Sequence, residues 1–286
     1  MQLLKNTNRP TLSVALIFFF ILLTIFASCG KGGKKSISAG TAAIKVDTAD
    51  VVGTYNKIKE YDAATIDSFY SGLVAELRKK NQYDLLLGHI DYYQTLNGKN
   101  KRTLAYIANA KGYAYNYLAK YDSAYSFFQE AERLYKELDA TADLADTYVG
   151  LATNYIYKGD YAMAFNNHYK SLGIYERLKD SGNIYRVKSE MAIDLYYQKE
   201  FQKAITTALA CQSYYKRSNE PDMLAYSQSI LATLYYNTGD YPTSVEYAQA
   251  SLAIRKQLGI EHDIAESLNN LALPYMALKQ WDKAVV

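Results

Sequence analysis

The chain has 286 residues, 49% of them hydrophobic, and a formal net charge of +3 at pH 7. This is enough apolar material for a sizeable core, and the low counts of proline (4) and glycine (15) exclude fibrous and low-complexity chains. The charge falls to +1 if Lys5 and Arg9 are removed with the N-terminal segment, so the chain lacks the basic surface that nucleic acid requires.

The N-terminal residues predict a signal peptide that spans residues 1–28. Two basic residues precede an almost wholly apolar run of sixteen residues, 11–26, which is short for a membrane span and typical of a signal-peptide core. The sequence Phe-Ala-Ser-Cys-Gly at residues 26–30 resembles the bacterial lipobox. That resemblance implies that Cys29 is lipidated and becomes the new N-terminus. Ordinary secretion and an uncleaved anchor are the alternatives.

The position after Cys29 and the segment that follows it predict the location of the protein. Lipoproteins that stay at the inner membrane often carry aspartate where this chain has Gly30, so the resemblance implies the outer membrane, facing the periplasm. Residues 29–60 begin with a stretch rich in Gly, Lys, Ser and Ala, which cannot bury enough apolar surface to fold. We expect this segment to be a flexible tether between lipid and domain.

From residue 101 onward the sequence repeats itself every forty residues without gaps. Three columns of equivalent positions carry the pattern: a small residue, then an aromatic residue, then a second small residue. The first column is Gly112, Ala152, Ala192, Ala232 and Ala272; the second is Tyr121, Tyr161, Phe201, Tyr241 and Trp281; the third is Ala124, Ala164, Ala204, Ser244 and Ala284.

The pattern within each forty-residue unit predicts two helices joined by a tight turn, such as Gly159-Asp160. The small residues allow close helix approach, and the aromatic residue begins the second helix. The order Leu151-Ala152, Tyr155, Gly159-Asp160-Tyr161, Ala164 resembles the tetratricopeptide repeat (TPR), in a form longer than the usual 34 residues. The resemblance implies an all-α fold, a right-handed superhelical solenoid of antiparallel helix pairs. Five repeats would span residues 101–286, the last incomplete, after a degenerate helix pair at 61–100.

No combination of residues in the sequence predicts catalysis, a metal site or a cofactor. The three histidines share no metal-ligand spacing. His168 occupies a column otherwise held by Phe128, Ala208 and Ala248, so we expect it to pack in the core. Cys211 lies in a small-residue column, which predicts a buried, inert thiol. We therefore expect a binding protein and no enzyme.

The first helix of each repeat lines the concave groove in the TPR family, and this resemblance predicts the partner-binding positions. The lining would be polar, aromatic and nearly uncharged, which suits an extended peptide or a partner helix. The alternative is that its tyrosines pack helix against helix. The lysine-rich clamp by which some family members hold a C-terminal carboxylate is absent. The predicted binding residues are Tyr113, Asn116, Tyr117, Thr153, Tyr157, Arg186, Tyr196, Tyr197, Tyr226, Tyr236 and Asn237.

Two functions remain open at this point. The first is a lipid-anchored scaffold or adaptor that binds a protein or peptide partner at the cell envelope, with no nucleic acid. The second is the sensor arm of a membrane-bound signalling or transcription regulator whose effector module lies beyond residue 286. The short second helix of the last repeat, six residues from Trp281, leads us to expect either a truncated product or further residues.

Overall fold

The computed structural model describes residues 50–58, 61, 63–97, 100–259 and 261–284, together with two short strands. The strands, β1 (Leu23–Thr24) and β2 (Ser38–Ala39), pair antiparallel. Cys29 and the predicted signal peptide, apart from β1, lie outside the described residues. No helix in the described ranges is long and apolar enough to cross a membrane.

The remaining described structure is helical, which confirms the all-α prediction. Consecutive helices alternate as first and second members of pairs and are mostly 15 to 18 residues long. They are α1 (Val51–Ile58), α2 (Ala63–Lys79), α3 (Tyr83–Asn97), α4 (Lys101–Tyr117), α5 (Tyr121–Glu137), α6 (Thr141–Lys158), α7 (Tyr161–Leu178), α8 (Ser181–Tyr197), α9 (Phe201–Ser218), α10 (Pro221–Thr238), α11 (Tyr241–Leu258), α12 (Glu261–Ala277) and α13 (Trp281–Ala284).

The turns between helices repeat with the same spacing as the sequence columns. Before the second helix of each of the five pairs, one residue adopts a left-handed backbone conformation. After the second helix of four pairs, another residue does so. Glycine adopts this conformation without strain, yet it holds only three of these nine positions. The first set is Ala119, Gly159, Lys199, Gly239 and Lys279, and the second is Asp139, Lys179, Asn219 and Gly259.

The structure divides into two compact units, one ending at Asn154 and one beginning at Tyr155. The N-terminal unit has a core of aliphatic and tyrosine side chains from α1 to α4, including Leu77, Leu86 and Ile90. Inside this core the rings of Tyr70 and Tyr93 stack with their centroids 4.0 Å apart. Helices α2 and α3 cover the segment of the predicted degenerate pair.

Helix α1 lies inside the segment that the sequence assigned to a flexible tether. Residues 51–58 form a helix that contacts α3, and the side chains of Thr54 and Ile58 are buried. The predicted tether, residues 29–60, is therefore wrong over its last part. The physical reason is tertiary burial, because an isolated eight-residue helix is unstable in water and this one is held by its contacts.

The C-terminal unit stacks helices α7 to α13 in sequence, each against the next. Its first helices α8, α10 and α12 also contact one another in a row. Small side chains form much of its core, with Ala192, Ala204, Ala208 and Cys211 all fully buried. Small residues at these positions bring the helix axes close together, as the sequence columns predict.

Candidate partner-binding surface

The structure places the predicted binding residues in three environments. Asn116, Thr153 and Tyr226 are buried, and Asn237 is exposed. The others are partly exposed: Tyr113, Tyr117, Tyr157, Arg186, Tyr196, Tyr197 and Tyr236.

The three buried residues make hydrogen bonds inside the helix stack. Asn116 accepts a hydrogen bond from Nδ2 of Asn154 (2.7 Å). The hydroxyl of Thr153 donates to the carbonyl of Val149 one turn earlier (3.0 Å). The hydroxyl of Tyr226 donates to Oε1 of Glu190 (3.1 Å). A partner could reach these side chains only after the helices moved apart, so in this conformation they act as structural residues.

The tyrosines at the ends of two first helices stack on the helix pair before them. In the N-terminal unit, Tyr117 stacks on Tyr83 with ring centroids 4.3 Å apart. In the C-terminal unit, Tyr197 stacks on Tyr161 at 4.4 Å. Each stack joins the last residue of a first helix to the residue that begins the preceding second helix. Both Tyr117 and Tyr197 nevertheless stay partly exposed, so packing and binding are compatible roles for them.

Arg186 is a partly exposed cation on helix α8 that is oriented by its neighbours. Its Nε donates to Oδ1 of Asn183 (2.9 Å), and its Nη2 donates to the hydroxyl of Tyr175 (3.4 Å). These contacts hold the guanidinium beside the ring of Tyr175 without burying it.

The TPR resemblance predicts that Asn167 lies on the outer, convex surface, and this prediction is wrong. Its side chain is only 3% exposed, and Nδ2 donates to the carbonyl of Met163 (2.8 Å). The helical period places residue 167 beside the inward-facing His168 and Ala164. The outward position on this helix is Tyr169, which is 64% exposed.

The Cys211 thiol and the His168 imidazole lie in the core, as the sequence predicts. Cys211 is buried, and burial raises the pKa of its thiol to about 11, so the reactive thiolate is scarce at neutral pH. His168 is buried, which confirms its core position, but its partner was missed: Nδ1 lies 2.6 Å from Oδ2 of Asp194. Within the described ranges, no group of histidine, cysteine or carboxylate side chains is arranged to hold a metal ion.

Sequence and structure comparisons identify the repeat. The model of the tetratricopeptide repeat family matches residues 224–262, which cover most of α10, all of α11 and the start of α12. The fold is a TPR solenoid. No curated protein matches the sequence significantly.

Solved structures of similar TPR-like fold are matched at low sequence identity. BtubC from P. vanneervenii is 18% identical with a TM-score of 0.57, and the match covers 75% of this chain and 86% of that one. The apo form of RapI is 16% identical with a TM-score of 0.60, covering 81% and 66%. NprR in complex with its cognate peptide NprX is 17% identical with a TM-score of 0.62, covering 78% and 65%. At these identities the likeness supports the TPR fold and no shared activity.

Proposed function

We propose that this TPR chain is a lipid-anchored interaction protein of the bacterial cell envelope, which binds a protein or peptide through its first helices. It would be held at the outer membrane by Cys29 and face the periplasm. The proposal includes no catalytic step, no metal and no cofactor.

The observation that carries the binding role is the set of partly exposed tyrosines on the first helices. In the C-terminal unit, Tyr196, Tyr197 and Tyr236 lie near the ends of α8 and α10, followed by the exposed Asn237. Tyrosine offers a large contact area and a hydroxyl at low entropic cost. The stack of Tyr197 on Tyr161 fixes its ring before a partner arrives, which reduces that cost further.

Two further points support the proposal. Residues 224–262 match the model of a repeat family, and the fold resembles that of NprR in complex with its cognate peptide. The lipobox-like residues at 26–30 give the anchor its chemistry, since a cysteine directly after an apolar signal core otherwise has no role.

The second candidate is a TPR sensor arm of a membrane-bound signalling or transcription regulator. RapI and a signal-transduction ATPase with a TPR sensor from Pyrococcus horikoshii have similar folds. Sequencing the coding region beyond the codon of Val286 tests this candidate. An apolar run of about twenty residues followed by an effector module would favour the sensor arm over the adaptor.

The binding surface can be tested by photo-crosslinking in the native host. A photoreactive amino acid at position 237 should give a discrete, ultraviolet-dependent adduct with a partner. The same amino acid at position 169, which lies on a second helix and is also exposed, is the matched control. Equal adduct patterns at the two positions, or none at 237, would contradict binding at this surface.

A further inference from the structure

Four polar side chains that can gain or lose a proton are buried together in the C-terminal unit. His168 on α7 contacts Asp194 on α8, with Nδ1 to Oδ2 at 2.6 Å. One turn earlier on α8, Glu190 accepts a hydrogen bond from the hydroxyl of Tyr226 on α10 (3.1 Å). His168 and Asp194 are 1% and 0% exposed, and Glu190 is 8% exposed. These contacts join three helices at one place, which we call the α7–α8–α10 joint.

The repeat shows that the fold does not need polar groups at this joint. Forty residues later the counterparts of His168, Glu190 and Asp194 are Ala208, Ile230 and Leu234, and all three are buried. The same helix contacts are therefore built there from apolar side chains. Burying ionisable groups costs free energy that apolar groups of similar volume avoid. The polar set at residues 168, 190, 194 and 226 thus adds a property beyond helix packing.

The surroundings of Glu190 favour its protonated form. Burial raises the pKa of its carboxyl group, and the charge of Asp194 adds to the rise. His168, the hydrogen bond from Tyr226 and the charge of Arg186 oppose the rise without cancelling it.

Further ionisable groups around the joint lie on α8 itself and on the neighbouring helices. Cys211 and Tyr215 on α9 interact electrostatically with Glu190, and Lys188 on α8 interacts with Cys211. Glu266 on α12 interacts with Tyr226. Among the groups named here, the arginine and lysine side chains are Arg186 and Lys188, and both are partly exposed. A neutral Glu190 thus leaves less uncompensated negative charge inside the joint.

We propose that Glu190 makes the α7–α8–α10 joint proton-sensitive: the joint is tightest when Glu190 is a neutral acid and loosens when Glu190 ionises. A raised carboxyl pKa means that the folded protein holds a proton that the unfolded chain has already released. The contribution of Glu190 to stability is therefore greatest below the unfolded-state pKa near 4.5 and declines as pH rises toward the folded-state pKa. Because α8 also carries Arg186, Tyr196 and Tyr197, partner binding should weaken in the same direction; this consequence rests on the proposed function.

Thermal unfolding of the wild type and of Glu190→Gln, followed by circular dichroism between about pH 5 and 8, tests the joint without a partner. Glutamine keeps the volume and an acceptor for Tyr226 but cannot ionise. The difference in Tm, wild type minus variant, should fall as pH rises. Asp222, whose pKa burial also raises, is present in both proteins and cancels. Parallel Tm curves would overturn the proposal.

A double variant, His168→Ala with Asp194→Leu, installs the pair found one repeat later and leaves Glu190 in place. Because burial is the main cause of the raised pKa of Glu190, this variant should keep a fall in stability with rising pH. If the stability of the double variant no longer decreases as pH rises, the pH dependence belongs to the His168–Asp194 pair, and the role of Glu190 is overturned.

A spectroscopic measurement on the wild type covers the case in which Glu190→Gln does not fold. In protein labelled with 13C-glutamate, the infrared band of the protonated carboxyl group should persist above the pH at which ordinary glutamates ionise, about 4.3. Its absence would overturn the proposal. If the Tm curves diverge but partner binding does not respond to pH, the proton sensitivity of the joint stands. The proposed binding surface alone would then be contradicted.

Discussion

The ring of Tyr197, the last residue of α8, lies flat on the ring of Tyr161, the first residue of α7: the centroids are 4.4 Å apart and the planes differ by 6°. The pair Tyr83 and Tyr117 repeats the arrangement in the N-terminal unit, at 4.3 Å and 14°. At these two places the aromatic residue that begins a second helix thus packs against the end of the next first helix. The sequence offered two roles for these tyrosines, and the stacks show that interhelical packing is one of them.

A double-mutant cycle on Tyr161 and Tyr197 measures this stack. Either alanine variant should lower the free energy of unfolding, and the interaction between the two substitutions should be about 0.5–1.5 kcal/mol, typical of aromatic pairs. Urea unfolding of the two single variants and the double variant gives the value. Tyr169→Ala, at the exposed position on α7, should change stability by no more than about 0.5 kcal/mol. Strict additivity of the two substitutions would mean that the stacked rings do not stabilise each other.

The same variants separate packing from binding. If Tyr197 is an anchor residue, Tyr197→Ala should weaken partner capture by about 1–2 kcal/mol or more. Tyr161→Ala removes the same stack but leaves the ring of Tyr197 available, so it should weaken capture less. Capture is measured with the partner obtained by crosslinking at position 237. Equal losses from both variants would mean that the defect follows stability, and the groove role of Tyr197 would be wrong.

The lipid anchor is tested at Cys29. Cys29→Ser removes the thiol that would carry the lipid, so the variant should lose incorporation of a labelled fatty acid and accumulate as the unprocessed precursor. Metabolic labelling followed by electrophoresis shows both effects. Cys211→Ser, at the buried cysteine, is the control and should keep the label. A Cys29→Ser protein that is still labelled and processed would exclude the lipoprotein interpretation.

The sequence predicted the helix pairs well because the features that define them are local. Small residues at Ala192 and Ala232 and aromatic residues at helix starts recur in each unit, and the structure buries the small ones. The sequence did not predict helix α1, because the composition of residues 29–60 as a whole indicated a flexible segment. The eight residues of α1 are stabilised by the burial of Ile58.

The buried contact between His168 and Asp194 could not be predicted, for a different reason. His168 and Asp194 lie 26 residues apart on helices of different pairs, and only His168 stands out from its column. Their contact depends on how one helix pair rotates against the next, which the columns do not specify. The same uncertainty applies to Asn167, since the side chain that points outward on this helix is that of Tyr169, two residues further along.

Two glycine-to-alanine substitutions should have opposite effects. At Gly150 an added Cβ would lie 2.6 Å from Cζ of the buried Phe128, closer than a real Cβ approaches, so Gly150→Ala should destabilise the protein by about 1–3 kcal/mol. At Gly173 nothing lies within 4 Å of an added Cβ, so Gly173→Ala should stabilise its helix by about 0.5–1 kcal/mol. Urea unfolding measures both. A Gly150→Ala variant at least as stable as the wild type would show that the close approach to Phe128 does not limit residue 150.

Ala192 tests whether the small-residue column sets the spacing between helices in the C-terminal unit. Its side chain is fully buried in the same core cluster as Ala204 and Ala208. Ala192→Phe should therefore force α8 away from its neighbours and lower stability by about 1–3 kcal/mol or more, as overpacking does. Ala162→Phe makes the same change at an exposed position of α7 and should be near neutral. Thermal melts of the two variants and the wild type measure the effect. If Ala192→Phe has the same Tm as the wild type, residue 192 does not lie at a close helix crossing. The alignment of all five repeats on this column would then need to be shifted.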